Sequence, residues 1–187
     1  LQVIPYEGGA VFTRDGDALA TYRQHDAHRR EIQRFSLRDA EAYDRYSADV
    51  TRQCRFIRPL LLRTPPDPAS LRPRDLQEML YLGRRFHGLT ETEMADTIRF
   101  WTMSIAEFLD EYFESEVVKA SFALSGIIGT ALGPCSPGSA YVLLHHMFGE
   151  AAGVQGAWGH AMGGMGAITQ AMAKAAREKG VDIRLDM

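Results

Sequence analysis

Lysine, cysteine and tryptophan are scarce in this 187-residue sequence, and long apolar runs are missing. Lys119, Lys174 and Lys179 are its lysines, and every other basic residue is Arg. Cys54 and Cys135 are neither spaced as a metal site nor as a redox pair. They read as two free thiols in a reducing cytosol, with a disulfide left open as the alternative. No stretch approaches the roughly 20 apolar residues a membrane span needs. The nearest, "ASFALSGIIGTALG", is too short and too rich in Gly and Ser. There is no G-x-S-x-G, no P-loop and no zinc spacing, so no self-contained set of catalytic groups. Repeats and low-complexity tracts are also missing, and no charged-then-apolar signal segment opens the chain. It begins with Leu1 rather than Met and reads as a piece cut from a longer protein.

What remains is an ordinary globular composition, 45% hydrophobic and 24% charged, enough for one domain with a real core. The net charge of −3 gives no reason to expect nucleic acid or a polybasic membrane anchor. Arginine concentrates in residues 1–90, which hold fifteen, and genome composition accounts for the bias better than anion binding does.

Residues 1–24 predict two or three short antiparallel strands, with Asp15-Gly16 as the hairpin signal. Helices follow over about 26–147. One opens at Asp26 or His28 and ends near Phe35. Ser36 is the N-cap candidate of the next, whose stripe is Tyr43, Tyr46, Val50, Cys54, Ile57 and Leu61. Pro59 should kink or shorten it. A proline-rich connector precedes a helix from about Asp75 to Phe86. The next helix should start at Thr90 and run through Ile98, Trp101, Ile105 and Leu109. "SEVVKASFALSGIIGTALG" predicts a buried helix with Ala120, Ala123, Gly126 and Gly129 on a close-packing face. A short apolar helix, "AYVLLHHMF", comes next. Residues 167–178 predict a last helix ended by Gly180, and "VDIRL" a strand.

The segment "GAWGHAMGGMGAITQAMAKAAREKG" is the richest in chemical possibility, because glycine-rich backbone entering a helix can hold an anionic or flat cofactor. Gly164 to Thr169 approximates G-x-G-x-x-G, and Asp186 stands where a ribose-binding acid belongs. "GAWGHAM" makes a poor strand, however, and the fingerprint needs a buried strand before its first glycine. A glycine-lined turn that lets a helix pack closely is the plainer reading. Trp158 could stack on a ring or line an apolar cavity, or simply join the core. His160 is a candidate for proton transfer against the plainer reading of an exposed loop histidine. The adjacent His145 and His146 lack helical metal spacing and read as the polar end of an apolar helix. Met147, Met162, Met165 and Met172 suit either a cavity for a greasy substrate or a core. Glu107, Asp110, Glu111 and Glu114 read as a solvated helix face.

Gly156, Trp158, Gly159, Gly163, Gly164, Met165 and Gly166, with "SAYVLLHHMFGE" and "FSLRDAEAYDRY", resemble the phytoene desaturase-like FAD-dependent oxidoreductases. The resemblance runs over essentially the whole chain and is specific at the glycine-rich segment. It implies a Rossmann-type FAD domain built from the two ends of a longer polypeptide, with a substrate domain between them. Residues 1–187 match the middle, as a substrate-binding domain fragment. Gly163, Gly164 and Met165 would then lie on the flavin, and Trp158 and His160 on the substrate. FAD belongs to the longer parent, and none is expected in this chain alone, which should be inactive.

The expectation is therefore an α+β fold, a predominantly helical layer on a small antiparallel sheet. Its function is the substrate portion of a flavoprotein that oxidises or desaturates an apolar organic substrate. The expected partners are that substrate, the missing FAD domain and a second copy of the chain, and the expected location is the bacterial cytoplasm, with peripheral membrane attachment left open. The alternative is a non-catalytic helical interaction or oligomerisation module, supported by the small-residue helix and by the apolar surface an excised domain exposes.

Overall fold

The helical part of the chain follows from its caps and stripes. In the computed structural model, which describes residues 1–151 and 154–185, two compact units form: Gly9–Phe148, and Leu1–Gly8 together with Gly149–Met187. The second of these units draws on both ends of the chain. Helices dominate over short two-stranded sheets, the expected α+β class.

In the larger unit, β2 (Gly8–Phe12) pairs with β3 (Ala18–Tyr22). The short connection through Asp15-Gly16 permits only an antiparallel hairpin, and Gly16 takes the left-handed φ of 90° that the turn requires. Helix α1 (His25–Gln33) packs on β3. Ser36 then caps α2 (Leu37–Ile57), its hydroxyl accepting from the Asp39 N–H at 3.1 Å. The α2 stripe is buried from Tyr46 to Ile57. At Pro59 the helix tightens into a 3-10 turn, Arg58–Leu60, so Leu61 falls beyond the helix and is exposed. Asp39 is fully buried, and its carboxylate accepts the N–H groups of Glu114 (2.8 Å) and Ser115 (3.0 Å). This ties the start of α2 to a turn far along the sequence.

Helix α3 (Pro73–His87) ends at Gly88 as expected. The continuous helix predicted from Thr90 through Leu109 is in fact two, α4 (Glu91–Thr102) and α5 (Ile105–Asp110). Each begins with a capping box, Thr90 with Glu93 and Ser104 with Glu107, and the second interrupts the apolar periodicity. Glu107 is therefore a capping group. Asp110 pairs with Lys119 at 2.7 Å, Glu111 with Arg99, and Glu114 with Arg38 at 3.0 Å. The acidic run is a set of ion pairs and a cap rather than a bare solvated face.

The long buried helix expected after Ser115 is also shorter. It comprises α6 (Glu116–Ala123) and a 3-10 turn, Leu124–Gly126, with Ala120 exposed. Its close-packing expectation holds at Gly126, where a Cβ would stand 2.8 Å from the Ile105 side chain. Helix α7 (Ser139–Met147) buries Ala140, Leu143 and Leu144 against this core. The buried Ser139 hydroxyl accepts from the Ile105 N–H at 2.8 Å and donates to the Ser136 carbonyl at 2.7 Å. Cys54 is buried, Cys135 is exposed, and both are free thiols.

The smaller unit contains β1 (Val3–Pro5), β4 (Glu150–Ala151), β5 (Val154–Gln155), β6 (Gly159–Ala161) and α8 (Met165–Glu178). β4 and β5 form an antiparallel pair. β1 pairs antiparallel with β6 in the register Val3 to Ala161, Ile4 to His160 and Pro5 to Gly159. Gly180 takes a φ of 82° just beyond α8, the expected helix stop. Residues 181–185 carry no regular secondary structure, so the strand expected at "VDIRL" is not formed. These residues find no partner strand among the described residues, and alternating apolar side chains do not make a strand without one.

Candidate functional site

Two hydrogen bonds flank the short β1–β6 ladder and set the glycine-rich segment in place. The Tyr6 N–H donates to the Trp158 carbonyl at 3.1 Å, and the Met162 N–H donates to the Gln2 carbonyl at 2.9 Å. Between them Gly159 meets β1 so closely that a Cβ would lie 2.7 Å from the Val3 side chain and 2.9 Å from the Ile4 carbonyl oxygen. Glycine at 159 is a packing requirement. His160 faces Ile4 in the ladder, and its ring lies 5.5 Å from that of Tyr6. It is an exposed strand residue rather than a loop residue.

After Ala161 the chain turns on Gly163 (φ 83°) and Gly164 (φ 77°, ψ −170°) and enters α8 at Met165. The Gly164 N–H donates to the Ala161 carbonyl at 2.9 Å, closing the turn. Gly164 lies in a region of backbone space that is essentially reserved for glycine. A strand, a double-glycine turn and a helix do follow one another here, which the poor strand content of "GAWGHAM" argued against. The strand is nevertheless three residues long, largely exposed and antiparallel to its partner. The buried parallel strand of a dinucleotide fingerprint is not what stands here. Asp186, the candidate ribose acid, lies outside the described residues.

The entry to α8 carries no side-chain cap and no acidic residue in its first turn. The positive end of its dipole is left without a built-in anion. A Cβ at Gly164 or Gly166 would meet nothing within 4 Å, and one at Gly163 would meet only the Ala167 side chain, at 3.2 Å. The backbone is open to close approach by a ligand. The side chains around it are apolar and exposed: Trp158 at 44%, Met162 at 51% and Met165 at 78% of their full surface. Met172 is exposed as well, so three of the four clustered methionines stand outside any core. Trp158 is likewise not a core residue. In the larger unit, His145 packs against Tyr141 and Phe148 at the end of α7, as a polar helix end should. No group of three or more potential metal ligands occurs among the described residues.

Sequence reasoning placed Val3 and Ile4 in a strand but missed its pairing with Gly159–Ala161. Val3, Ile4 and Tyr6 are the residues that hold the glycine segment.

The fold and site thus define an α+β chain with an exposed glycine turn at a helix entry and no enclosed catalytic centre among its described residues. No protein-family model matches it, and no solved structure matches it. It is 36% identical over 162 residues to pyridine nucleotide-disulfide oxidoreductase domain-containing protein 2 of Rattus norvegicus, covering 83% of this chain and 28% of that protein. The protein of the same name from Mus musculus is 36% identical over 163 residues, covering 84% of this chain and 28% of its own length. The chain is therefore homologous to a segment of proteins named as oxidoreductases and spans 28% of their length. No helix among the described residues is long and apolar enough to cross a membrane.

Proposed function

We propose that this chain is the central, substrate-domain portion of an FAD-dependent oxidoreductase or desaturase of the phytoene dehydrogenase-like type, acting on an apolar organic substrate. The observation that carries the reading is the open glycine turn between β6 and α8, with an uncapped helix entry and exposed Trp158, Met162 and Met165 around it. The homology to proteins named as oxidoreductases supports it.

The residues present fit a flavin. Open space over Gly164 and Gly166 admits a planar ring or an anionic group against bare backbone. Gly163, Gly164 and Met165 would contribute that wall, while Trp158 and His160 would face the substrate. FAD supplies the hydride acceptor, and the protein supplies orientation and exclusion of water. Trp158 and the methionines present adaptable apolar surface for that purpose. The remaining walls belong to other parts of a longer polypeptide, so this chain alone is expected not to bind FAD at micromolar concentration. Two unpaired cysteines accord with a reducing, cytoplasmic location.

A non-catalytic helical interaction module is the second reading, favoured by Leu76 and Leu80, one turn apart on α3 and both exposed. Flavin content of the full-length polypeptide separates the two. Gly166→Leu is the informative substitution, because Gly166 lies in the first turn of α8 and an added Cβ there meets nothing within 4 Å. The fold should persist while bound flavin per chain falls about tenfold. Unchanged flavin content in Gly166→Leu would remove the turn from the cofactor site. A full-length protein that takes up no flavin on reconstitution would leave the interaction module standing.

A further inference from the structure

The two outer edges of the β2–β3 hairpin differ. The Thr13 N–H donates to the Asp17 carbonyl at 2.8 Å, and the Gly9 N–H donates to the Thr21 hydroxyl at 2.8 Å. Residues 9, 11 and 13 therefore turn their backbone groups toward β3, and by the alternation of an extended strand Gly8, Ala10 and Phe12 turn theirs away. On β3 the outward groups are closed by side chains. The Ala20 N–H donates to the Glu31 carboxylate at 3.2 Å, and the Arg34 guanidinium donates to the Ala18 carbonyl at 3.1 Å. Asp17 holds that guanidinium in place at 2.8 Å. The β2 edge has no such cover. Its one partner strand among the described residues is β3, and Gly8, Ala10 and Phe12 are all exposed, Phe12 at 78% of its full surface.

An open strand edge is a template for another strand, and proteins commonly guard it with a charge, a proline or a bulge. The β2 sequence, GGAVF, has neither charge nor proline. It also fits itself. Laid antiparallel about a two-fold axis at Ala10, the strand sets Ala10 opposite its counterpart and Phe12 opposite Gly8. This register pairs the whole of Gly8–Phe12 with itself, and the outward N–H and C=O groups of Gly8, Ala10 and Phe12 satisfy one another. Residues directly opposite share a face of the sheet, so each Phe12 ring covers the bare Gly8 of the other copy. An aromatic ring across from a strand glycine compensates for the missing side chain. No like charges meet, and two hairpins become one four-stranded sheet, which is more stable than isolated strand pairs.

From this arrangement we infer that the β2 edge binds a second copy of the chain, strand to strand, in the register centred on Ala10. Main-chain hydrogen bonds supply the attraction, and the Phe12–Gly8 contact fixes the register. Glu31 and Arg34 direct the pairing to β2 by closing the β3 edge. A five-residue strand makes a small interface. The dimer is accordingly weak and forms at chain concentrations of about 0.1–1 mM. The inference rests on the hairpin and α1 and does not depend on the flavin reading.

Sedimentation of the purified chain from about 10 μM to about 1 mM, with amide hydrogen exchange at the same concentrations, tests the inference. The expected result is a monomer–dimer equilibrium in which protection at the Ala10 and Phe12 N–H groups rises about tenfold across the series, while Val11 and Thr13, which face β3, do not change. Ala10→Lys and Ala10→Glu test the register. Each alone sets like charges opposite each other and should weaken association several-fold, and an equimolar mixture of the two should restore it. Ala10 is exposed and its backbone groups lie outside the hairpin ladder, so unchanged melting temperatures at low concentration certify the variants. If either variant fails to fold, the concentration series on the unaltered chain decides alone. A monomer at about 1 mM, a dimer in which Ala10 and Phe12 exchange as in the monomer, or a mixture of the two variants that stays as weak as each alone overturns the inference. So does a full-length polypeptide that is monomeric at about 10 μM yet protects Ala10 and Phe12, because the edge would then belong to a strand of the same polypeptide.

Discussion

Gly159 lies against Val3 with no room for a side chain: a Cβ there would stand 2.7 Å from the Val3 Cγ1 atom. That contact joins the two ends of the chain into one unit and orients the turn that follows. Gly159→Val should separate β1 from β6 at a cost of about 1–3 kcal/mol, the usual range for overpacking. Hydrogen exchange gives the readout. Protection at the Tyr6 and Met162 N–H groups should fall, while Leu143 and Leu144 in the helical unit should keep theirs. Full protection at Tyr6 in the variant would mean that the strand pairing tolerates the side chain.

At Gly164 and Gly180 the backbone itself is the constraint. Both have positive φ, 77° and 82°, but Gly164 also has ψ −170°. Gly180 occupies the left-handed helical region that ends α8, where a β-branched residue should cost on the order of 1 kcal/mol or more. Gly164 is in the more forbidden region, where the strain is about 1–3 kcal/mol. Thermal unfolding should therefore rank Gly164→Val below Gly180→Val. In the full-length protein, at temperatures where both variants are folded, the flavin-wall proposal expects lost flavin only for Gly164→Val. Equal flavin in both would reduce the turn to a packing feature.

His28 gives the fold a pH dependence. Its ring is buried, lies parallel to Tyr43 and Phe122, and has only the Tyr22 carbonyl within hydrogen-bonding reach of Nδ1, at 3.3 Å. Burial pushes its pKa below the ordinary value of 6.5, outweighing the Tyr22 carbonyl, which raises it. The unfolded chain therefore takes up the proton first as pH falls. Stability is fully present above about pH 6.5 and declines as the pH drops through the folded-state pKa. The melting temperature should fall between pH 7.5 and pH 5, and His28→Phe should fall less. Parallel curves for the two proteins would assign the effect to other groups.

The two thiols should differ in reactivity. Burial raises the Cys54 thiol to about 11, leaving almost no thiolate at neutral pH, whereas Cys135 is exposed. An aromatic disulfide reagent at pH 7.5 should modify one thiol per native chain and two after denaturation. Rapid modification of both in the native protein would show that α2 opens around Cys54.

Much of this architecture was legible in the sequence. Ser36, Pro59, Gly88 and Gly180 act locally, through a hydroxyl, a missing N–H or a permitted φ, and each ends or begins a helix where expected. The break at Met103 was equally local. Ser104-x-x-Glu107 is a capping box, but the apolar periodicity running through Trp101, Ile105 and Leu109 concealed it. Cys54 was placed on its helix by the apolar stripe alone, whereas Ser139 precedes the expected helix "AYVLLHHMF", and its place at the start of α7 and its bonds came only with the structure.

Only the tertiary structure could decide the rest, because it depends on which distant residues meet. The segment at 159–161 is a strand because Val3–Pro5 pairs with it, and "VDIRL" has no such partner among the described residues. Asp39 is a buried acceptor because the N–H groups of Glu114 and Ser115 arrive at it. The acidic run is tied down because Lys119, Arg99 and Arg38 come within reach. The sequence by itself determined the helices, their caps and the glycine turn, since these follow from bonds within a few residues. Strand pairing, buried polar contacts and charge balance are long-range, and folding alone brings their members together.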